Sequence, residues 1–277
     1  MPREPPSHEV PDIAVCEAQA VAKSPPRRRI LVTGASSGIG TAFAEWYADS
    51  GCEVVLVARD VAALSDVAEK IRQRGGTAEV IVADLSHKEG VELVGARCGA
   101  VDVLVCNAGL THAAAIGTSS RDHLDAFAYL MSAGVVRLCE LVVPGMLQRG
   151  NGDVVIVSSI AAFTPMRKAG AYAAAKAHAT SYARSLSLEV RNKGVRVVAV
   201  CPGYVRTDLH RRAGLEHLTR KVPDWMWLST DDVVRATDRA LRRGRVVVVP
   251  GLVYRTVLPF LSSPIAQSMW RRLTRRT

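Results

Sequence analysis

The sequence predicts an α/β protein, a single doubly wound parallel sheet of about seven strands with helices on both faces. Short Val-rich runs recur between longer stretches rich in Ala, Leu, Glu and Arg, and strands joined by helices must lie parallel with right-handed crossovers. Only 5% of the residues are aromatic, so the core is built from Val, Ala and Leu, as buried parallel strands and small-residue helices require. The 22% charged and 48% hydrophobic content is that of a globular chain and excludes disordered or collagen-like classes.

The elements follow in order. Six of the thirteen prolines precede residue 27 and little hydrophobic periodicity accompanies them, so residues 1–27 are expected to be a flexible Pro-rich extension. Strands are expected at 30–33, 53–57, 78–82, 101–105, 154–157, 195–200 and 245–249, with helices between them. No linker or second core interrupts residues 28–249, which form one domain. The exception is 204–228, an irregular insertion expected to act as a mobile lid; it carries Trp225, Met226 and Trp227, groups that suit a bulky apolar substrate or pack the lid onto its own domain. Residues 250–277 form a basic tail, with Ile265, Met269 and Leu273 at helical spacing beside Arg271, Arg272, Arg275 and Arg276.

The formal charge of +10 suggests a polyanion partner until it is located. Ten arginines, no lysine and one acid, Asp238, lie in 235–277, so +9 resides there and the remainder is nearly neutral. No DNA-binding module accompanies that charge, and nucleic acid is not an expected partner. The tail can be read as a capping helix with solvated arginines, as a weak membrane-surface contact, or as a patch that attracts an acidic acyl carrier or a coenzyme A thioester. No apolar run approaches the roughly 18 residues that cross a bilayer. Cys16, Cys52, Cys98, Cys106, Cys139 and Cys201 are scattered without metal-ligand or CxxC spacing, and the seven histidines do not pair as ligands, so no metal is expected. A reducing compartment fits these thiols; with Glu4, Glu9 and Asp12 in place of an apolar signal core, a cytoplasmic location is expected.

After the first strand comes Thr33-Gly34-Ala35-Ser36-Ser37-Gly38-Ile39-Gly40, followed by a helix. Glycines there permit a tight turn, close backbone approach to a ligand, and exposure of helix N-terminal amides to a pyrophosphate, the signature of a Rossmann-type dinucleotide site. Arg59 ends the second strand where an NAD site usually places a carboxylate. A guanidinium, helped by Ser36, suits the extra 2′-phosphate, so NADP is favoured over NAD; otherwise Arg59 is a solvated helix-start residue with Asp60 as cap. Ser159 lies just past the fifth strand, and Tyr172-Ala-Ala-Ala-Lys176 puts a phenol and an ammonium on one helix face. The ammonium, with an oxidised nicotinamide, is expected to favour the phenolate of a group whose free pKa is about 10, so that Tyr172 works as acid or base while Ser159 holds a carbonyl oxygen.

Together these residues resemble the short-chain dehydrogenase/reductase family in its classical form over essentially 28–249. The matching motifs are the TGxxxGxG loop at 33–40, Asp84, Asn107-Ala108-Gly109, Ser159, the Tyr172 and Lys176 pair, and Pro202-Gly203 followed by Thr207. The resemblance implies hydride transfer between nicotinamide and a carbonyl or secondary alcohol, with Ser159, Tyr172 and Lys176 catalytic and no metal. It implies cofactor contacts from Gly34, Ser36, Ser37, Gly38, Ile39, Gly40, Arg59, Asp84 (to the adenine), Leu85, Asn107, Ala108, Gly109, Tyr172, Lys176 (to the ribose), Pro202, Gly203, Val205 and Thr207. It also implies a homodimer or homotetramer acting on a small molecule. One departure stands out: Met131 occupies the place of the family's Asn in a proton relay, and a thioether cannot donate that hydrogen bond. The alternatives are therefore an NADP-binding sensor or scaffold with weakened redox chemistry, and a non-redox cyclase, epimerase or dehydratase.

Overall fold

The computed structural model describes residues 27–207, 222–261 and 263. The expected extension apart from Arg27, the middle of the expected lid, and the helical end of the tail lie outside the described residues.

All seven expected strands form: β1 (Arg29–Thr33), β2 (Glu53–Ala58), β3 (Thr77–Val82), β4 (Val103–Cys106), β5 (Gly152–Val157), β6 (Val195–Val200) and β7 (Val247–Val248). They make one parallel sheet in the order β3-β2-β1-β4-β5-β6-β7. Side chains alternate between two cores. Ile30 and Val32 enter one and Leu31 the other; Val54 and Leu56 face the first, Val55 and Val57 the second. Strands apolar on both sides need helices on both sides. The first core is covered by α1 (Gly38–Asp49), α2 (Val61–Gln73) and α7 (Thr230–Arg242). The second is covered by α3 (Lys88–Arg97), α4 (Arg121–Ala128), α5 (Gly134–Arg149) and α6 (Gly170–Val190), with Tyr254 of α8 (Leu252–Leu261) added at its margin. The start of the segment expected as a tail is thus a helix packed on the domain. β7 is shorter than the expected 245–249 because it is the sheet edge, with β6 as its single partner.

Between α4 and α5 the chain makes one π-helical turn, Tyr129–Ala133, which the sequence did not announce. The whole helical stretch Arg121–Arg149 is long and apolar enough, by composition, to cross a membrane, although no unbroken apolar run within it is that long. Here its apolar side packs into the second core through Phe127, Leu130, Met131, Leu138, Cys139, Val142, Val143 and Met146.

The strand order reverses between β1 and β4, which opens a crevice at the carboxyl ends of these strands, where doubly wound sheets bind ligands. The loops after β1, β4, β5 and β6 all reach that edge.

The helix that leads away from the site region begins with a capping box. The Ser229 hydroxyl accepts from the Asp232 N–H at 3.1 Å, and the Asp232 carboxylate accepts from the Ser229 N–H at 3.0 Å. Hydrogen bonds from Ser229 hold the Asp232 carboxyl below its ordinary value of 3.8. A carboxyl lowered by folding contributes stability above its unfolded pKa and loses it as pH falls through the folded one. Ser229→Ala should therefore cost about 1 kcal/mol in urea unfolding at neutral pH, and the gap between variant and parent should narrow as pH falls below about 3.8, leaving the share due to the Asp232 N–H bond.

Candidate active site

The loop after β1 is held by contacts as much as by its own conformation. Gly34 and Gly38 have φ of +64° and +58°, which side-chain-bearing residues rarely adopt. A Cβ on Gly40 would stand 2.1 Å from the Gly34 carbonyl oxygen. From β4, the Asn107 amide donates to the carbonyls of Thr33 (3.0 Å) and Gly34 (3.1 Å), while the Thr33 hydroxyl accepts from the N–H groups of Asn107 and Ala108. Asn107 thus ties the two sides of the crevice together beneath the loop. Ser37 stands at the N-cap of α1 in extended conformation without a side-chain capping bond, which leaves first-turn amides directed at the crevice. A glycine cradle with helix amides directed into it fits a dinucleotide pyrophosphate. Ser36 and Ile39 lie in the same turn, half-buried.

At the ends of β2 and β3, the expected Arg59 and Asp84 come together. Arg59 Nη1 lies 3.6 Å from Asp84 Oδ2, and both side chains are largely exposed. Asp84 is also engaged by Ser86, whose N–H (2.9 Å) and hydroxyl (2.6 Å) both donate to Oδ1. Those bonds, and more weakly Arg59, hold the Asp84 carboxyl below its ordinary range against the opposing effect of burial. Asp60 does cap α2, accepting from the Ala63 N–H at 3.0 Å. That cap is what the reading of Arg59 as a helix-start residue expects, and the Arg59 guanidinium itself is turned to Asp84. Leu85 is buried, and a Cβ on Gly134 would come within 3.4 Å of its carbonyl oxygen.

The proton-handling residues meet at the carboxyl end of β5. Ser159 caps a short 3-10 turn, Ile160–Phe163, its hydroxyl accepting from the Ala161 N–H at 3.2 Å. Its neighbour Ser158 is buried and locks α6 to β5: Ser158 Oγ donates to the Lys176 carbonyl at 2.8 Å and lies 2.7 Å from Thr180 Oγ1. Lys176 is buried and its Nζ donates to the Val157 carbonyl at 2.8 Å. Burial lowers its pKa to about 8. The ammonium stands 5.8 Å from the centre of the Tyr172 ring. Tyr172, Lys176 and Ser159 are therefore brought together as expected. In the protein alone, burial raises the Tyr172 pKa and the hydrogen bond with the Ser159 hydroxyl lowers it in part.

Met131 sits on the π turn, buried, with its sulfur 3.4 Å from the Leu110 N–H and accepting from it. A Cβ on Gly109 would lie 3.0 Å from that sulfur, so Gly109 and Met131 fit together. The thioether fills the space beside the Asn107-Ala108-Gly109 loop and serves as an acceptor only.

After β6, Pro202 runs beside Ser159, its carbonyl accepting from the Ile160 N–H at 3.0 Å. The methyl of Thr207 reaches Gly38, and Val205 is buried. The two legs of the 204–228 insertion are joined at their neck by a parallel bridge, Val205 with Leu228, and by Tyr204 against Trp227 with ring centres 5.5 Å apart. Sequence reasoning missed the residue that closes this neck. Tyr254, from α8, lays its ring on Gly203, where an added Cβ would fall 2.1 Å from it. Its hydroxyl accepts from the Tyr204 N–H at 3.0 Å and donates to the Met226 carbonyl at 2.6 Å. The one signal in the sequence was an aromatic residue in an otherwise aliphatic stretch, 50 positions from its partner.

Fold and site together define a parallel α/β protein with a nucleotide-type crevice and a Ser, Tyr and Lys constellation at its floor. The family model for short chain dehydrogenase matches residues 28–217, and the chain belongs to the short-chain dehydrogenase/reductase family of oxidoreductases. It is 35% identical over 184 residues to an uncharacterized oxidoreductase of Staphylococcus saprophyticus, covering 65% of this chain and 79% of that one. It is 34% identical over 190 residues to the probable oxidoreductase EphD of Mycobacterium tuberculosis, covering 67% of this chain but 32% of EphD, so it spans about a third of that relative. Among solved structures, the short-chain dehydrogenase from Sphingobium yanoikuyae in complex with NADPH superposes with a TM-score of 0.76 at 30% identity, covering 82% of this chain and 90% of that one.

Tyr254→Phe strands a buried N–H and a carbonyl, so it should lower stability by about 1–3 kcal/mol in urea unfolding and speed hydrogen exchange at Tyr204. Unchanged exchange there would mean that the ring alone holds the neck.

Proposed function

We propose that the chain is an NADP(H)-dependent oxidoreductase that interconverts a carbonyl and a secondary alcohol on a bulky apolar or acyl substrate, with Tyr172 as general acid and base. The observation that carries this reading is the convergence of Tyr172, Lys176 and Ser159 at the carboxyl end of β5, beside the glycine loop. When bound, the dinucleotide supplies or accepts the hydride. The glycine loop and the α1 amides hold its pyrophosphate, Arg59 its 2′-phosphate, Asp84 and Leu85 border the adenine, and the 107–109 and 202–207 loops face the nicotinamide. The NADPH carried by the Sphingobium relative supports this choice of coenzyme.

The residues divide the remaining work. Ser159 donates to the substrate oxygen, and Tyr172 Oη gives up or receives the proton on that oxygen. Lys176, turned from the Val157 carbonyl toward the ribose hydroxyls, brings its positive charge nearer the phenol and lowers a pKa that burial has raised. The apolar surface of Trp225, Met226 and Trp227 at the neck of the insertion favours a large hydrophobic substrate. Assembly as a homodimer or homotetramer belongs to the same reading.

A second reading rests on Met131. Its sulfur accepts from the Leu110 N–H and cannot donate to a relay water, so proton supply to Lys176 is slower than an amide would make it. A protein that binds the dinucleotide and turns over slowly would serve as a sensor.

Two substitutions test the main reading. Tyr172→Phe should abolish NADPH consumption against a panel of ketones, quinones and β-ketoacyl thioesters while NADPH still binds; retained reduction removes Tyr172 from its role. Arg59→Asp should lower the ratio of NADPH to NADH efficiency about tenfold or more, since two charge-assisted bonds to the phosphate are lost and a hydroxyl acceptor gained. An unchanged ratio would assign the phosphate elsewhere.

A further inference from the structure

Behind the neck of the insertion lies a cavity of about 80 Å³, remote in sequence from the glycine loop and lined by Arg239 and Arg243 of α7, Arg245 before β7, Pro250 and Gly251 after it, and Arg255 of α8. Among the described residues no carboxylate lines it. Other arginines in this half of the chain do have acidic partners: Arg206 pairs with Asp224, Arg235 with Asp231 and Arg242 with Asp238. Among the described residues, none of the four cavity arginines forms an ion pair or a side-chain hydrogen bond. Arg239 weakly lowers the pKa of Asp232, whose carboxylate is already engaged in its cap.

The negative end of α7 accounts for cations in its last turn, Arg239 among them. Arg243 and Arg245 stand in the turn that closes α7, the Arg245 N–H donating to the Ala240 carbonyl at 2.9 Å, but Arg255 arrives from a different helix and is not accounted for in this way. Four arginines, three from α7 and its closing turn and one from α8, line one small concavity, and like charges gathered there favour an anion between them. Planar forks presented from several sides suit a tetrahedral oxyanion, whose oxygens accept paired hydrogen bonds.

We propose that this cavity is a binding site for a phosphate group, either the phosphorylated end of a substrate or carrier or a free phosphorylated effector. The site absorbs charge that the proposed redox chemistry leaves unused, part of the +9 carried by 235–277. Arg255 directly follows Tyr254, so an anion held here braces the helix that closes the neck of the insertion.

Calorimetric titration of the full chain with inorganic pyrophosphate at fixed ionic strength tests this. The glycine loop is a second place for a phosphate, so the contrast between variants decides. Saturable binding should persist in Gly38→Ala, whose added Cβ would crowd Thr207 within the glycine loop, and weaken about tenfold or more in Arg245→Gln/Arg255→Gln, with Arg239→Gln/Arg243→Gln behaving alike. All four positions are exposed, so the fold tolerates these changes. Competition by coenzyme A for the variant-sensitive binding assigns the phosphate to a substrate or carrier, and its failure to compete assigns it to a small free anion. Superimposable isotherms for the parent and both double variants, or binding lost in Gly38→Ala alone, overturn the proposal.

Discussion

Burying an ammonium is the constraint around which this molecule is arranged. Lys176 lies inside the protein against the end of β5, where desolvation depresses its pKa to about 8 and a charged amine survives only by donating to the Val157 carbonyl. Everything nearby keeps that amine in place. Ser158 and Thr180 grip the backbone of the helix that carries it, and Cys201 lies behind Thr180 at 3.7 Å. One helical turn earlier the same helix presents Tyr172, so holding the lysine also holds the phenol.

The crevice has a second set of ties, independent of the first. Asn107 crosses from β4 to the loop after β1, and Thr33 returns two bonds from β1 to β4, so the place where the strand order reverses is laced shut below and open above. On the far side, Tyr254 and Gly203 fix the loop after β6 to the C-terminal helix. Three walls of the site are thus set by side-chain to backbone bonds between segments far apart in sequence. Such bonds hold loops that no regular ladder reaches.

Much of this was legible in the sequence, for physical reasons that can be named. Val-rich runs such as Ile30 to Val32 and Val54 to Val57 declare strands buried on both faces, because nothing polar interrupts them. The glycine loop could be placed because it stands between a strand and a helix, and Tyr172 with Lys176 because a helix brings fourth neighbours together. The pairing of Arg59 with Asp84 was not legible, nor was the contact of Met131 with Leu110, since both join side chains across the fold. The π turn escaped because its signal is a local backbone insertion with no composition of its own. The hydrogen bond from Lys176 to the Val157 carbonyl escaped too, since spacing places an ammonium near a phenol but does not say which carbonyl the ammonium meets.

The central claim is that the surroundings of Tyr172 decide whether it holds or releases its proton. Ultraviolet titration of tyrosinate, taken as the difference between the parent and Tyr172→Phe, measures this directly. Tyr172 should ionise above the ordinary value of about 10 in the protein alone, and lower by about one unit or more once oxidised NADP is added. Ionisation at the same pH with and without the dinucleotide would contradict it.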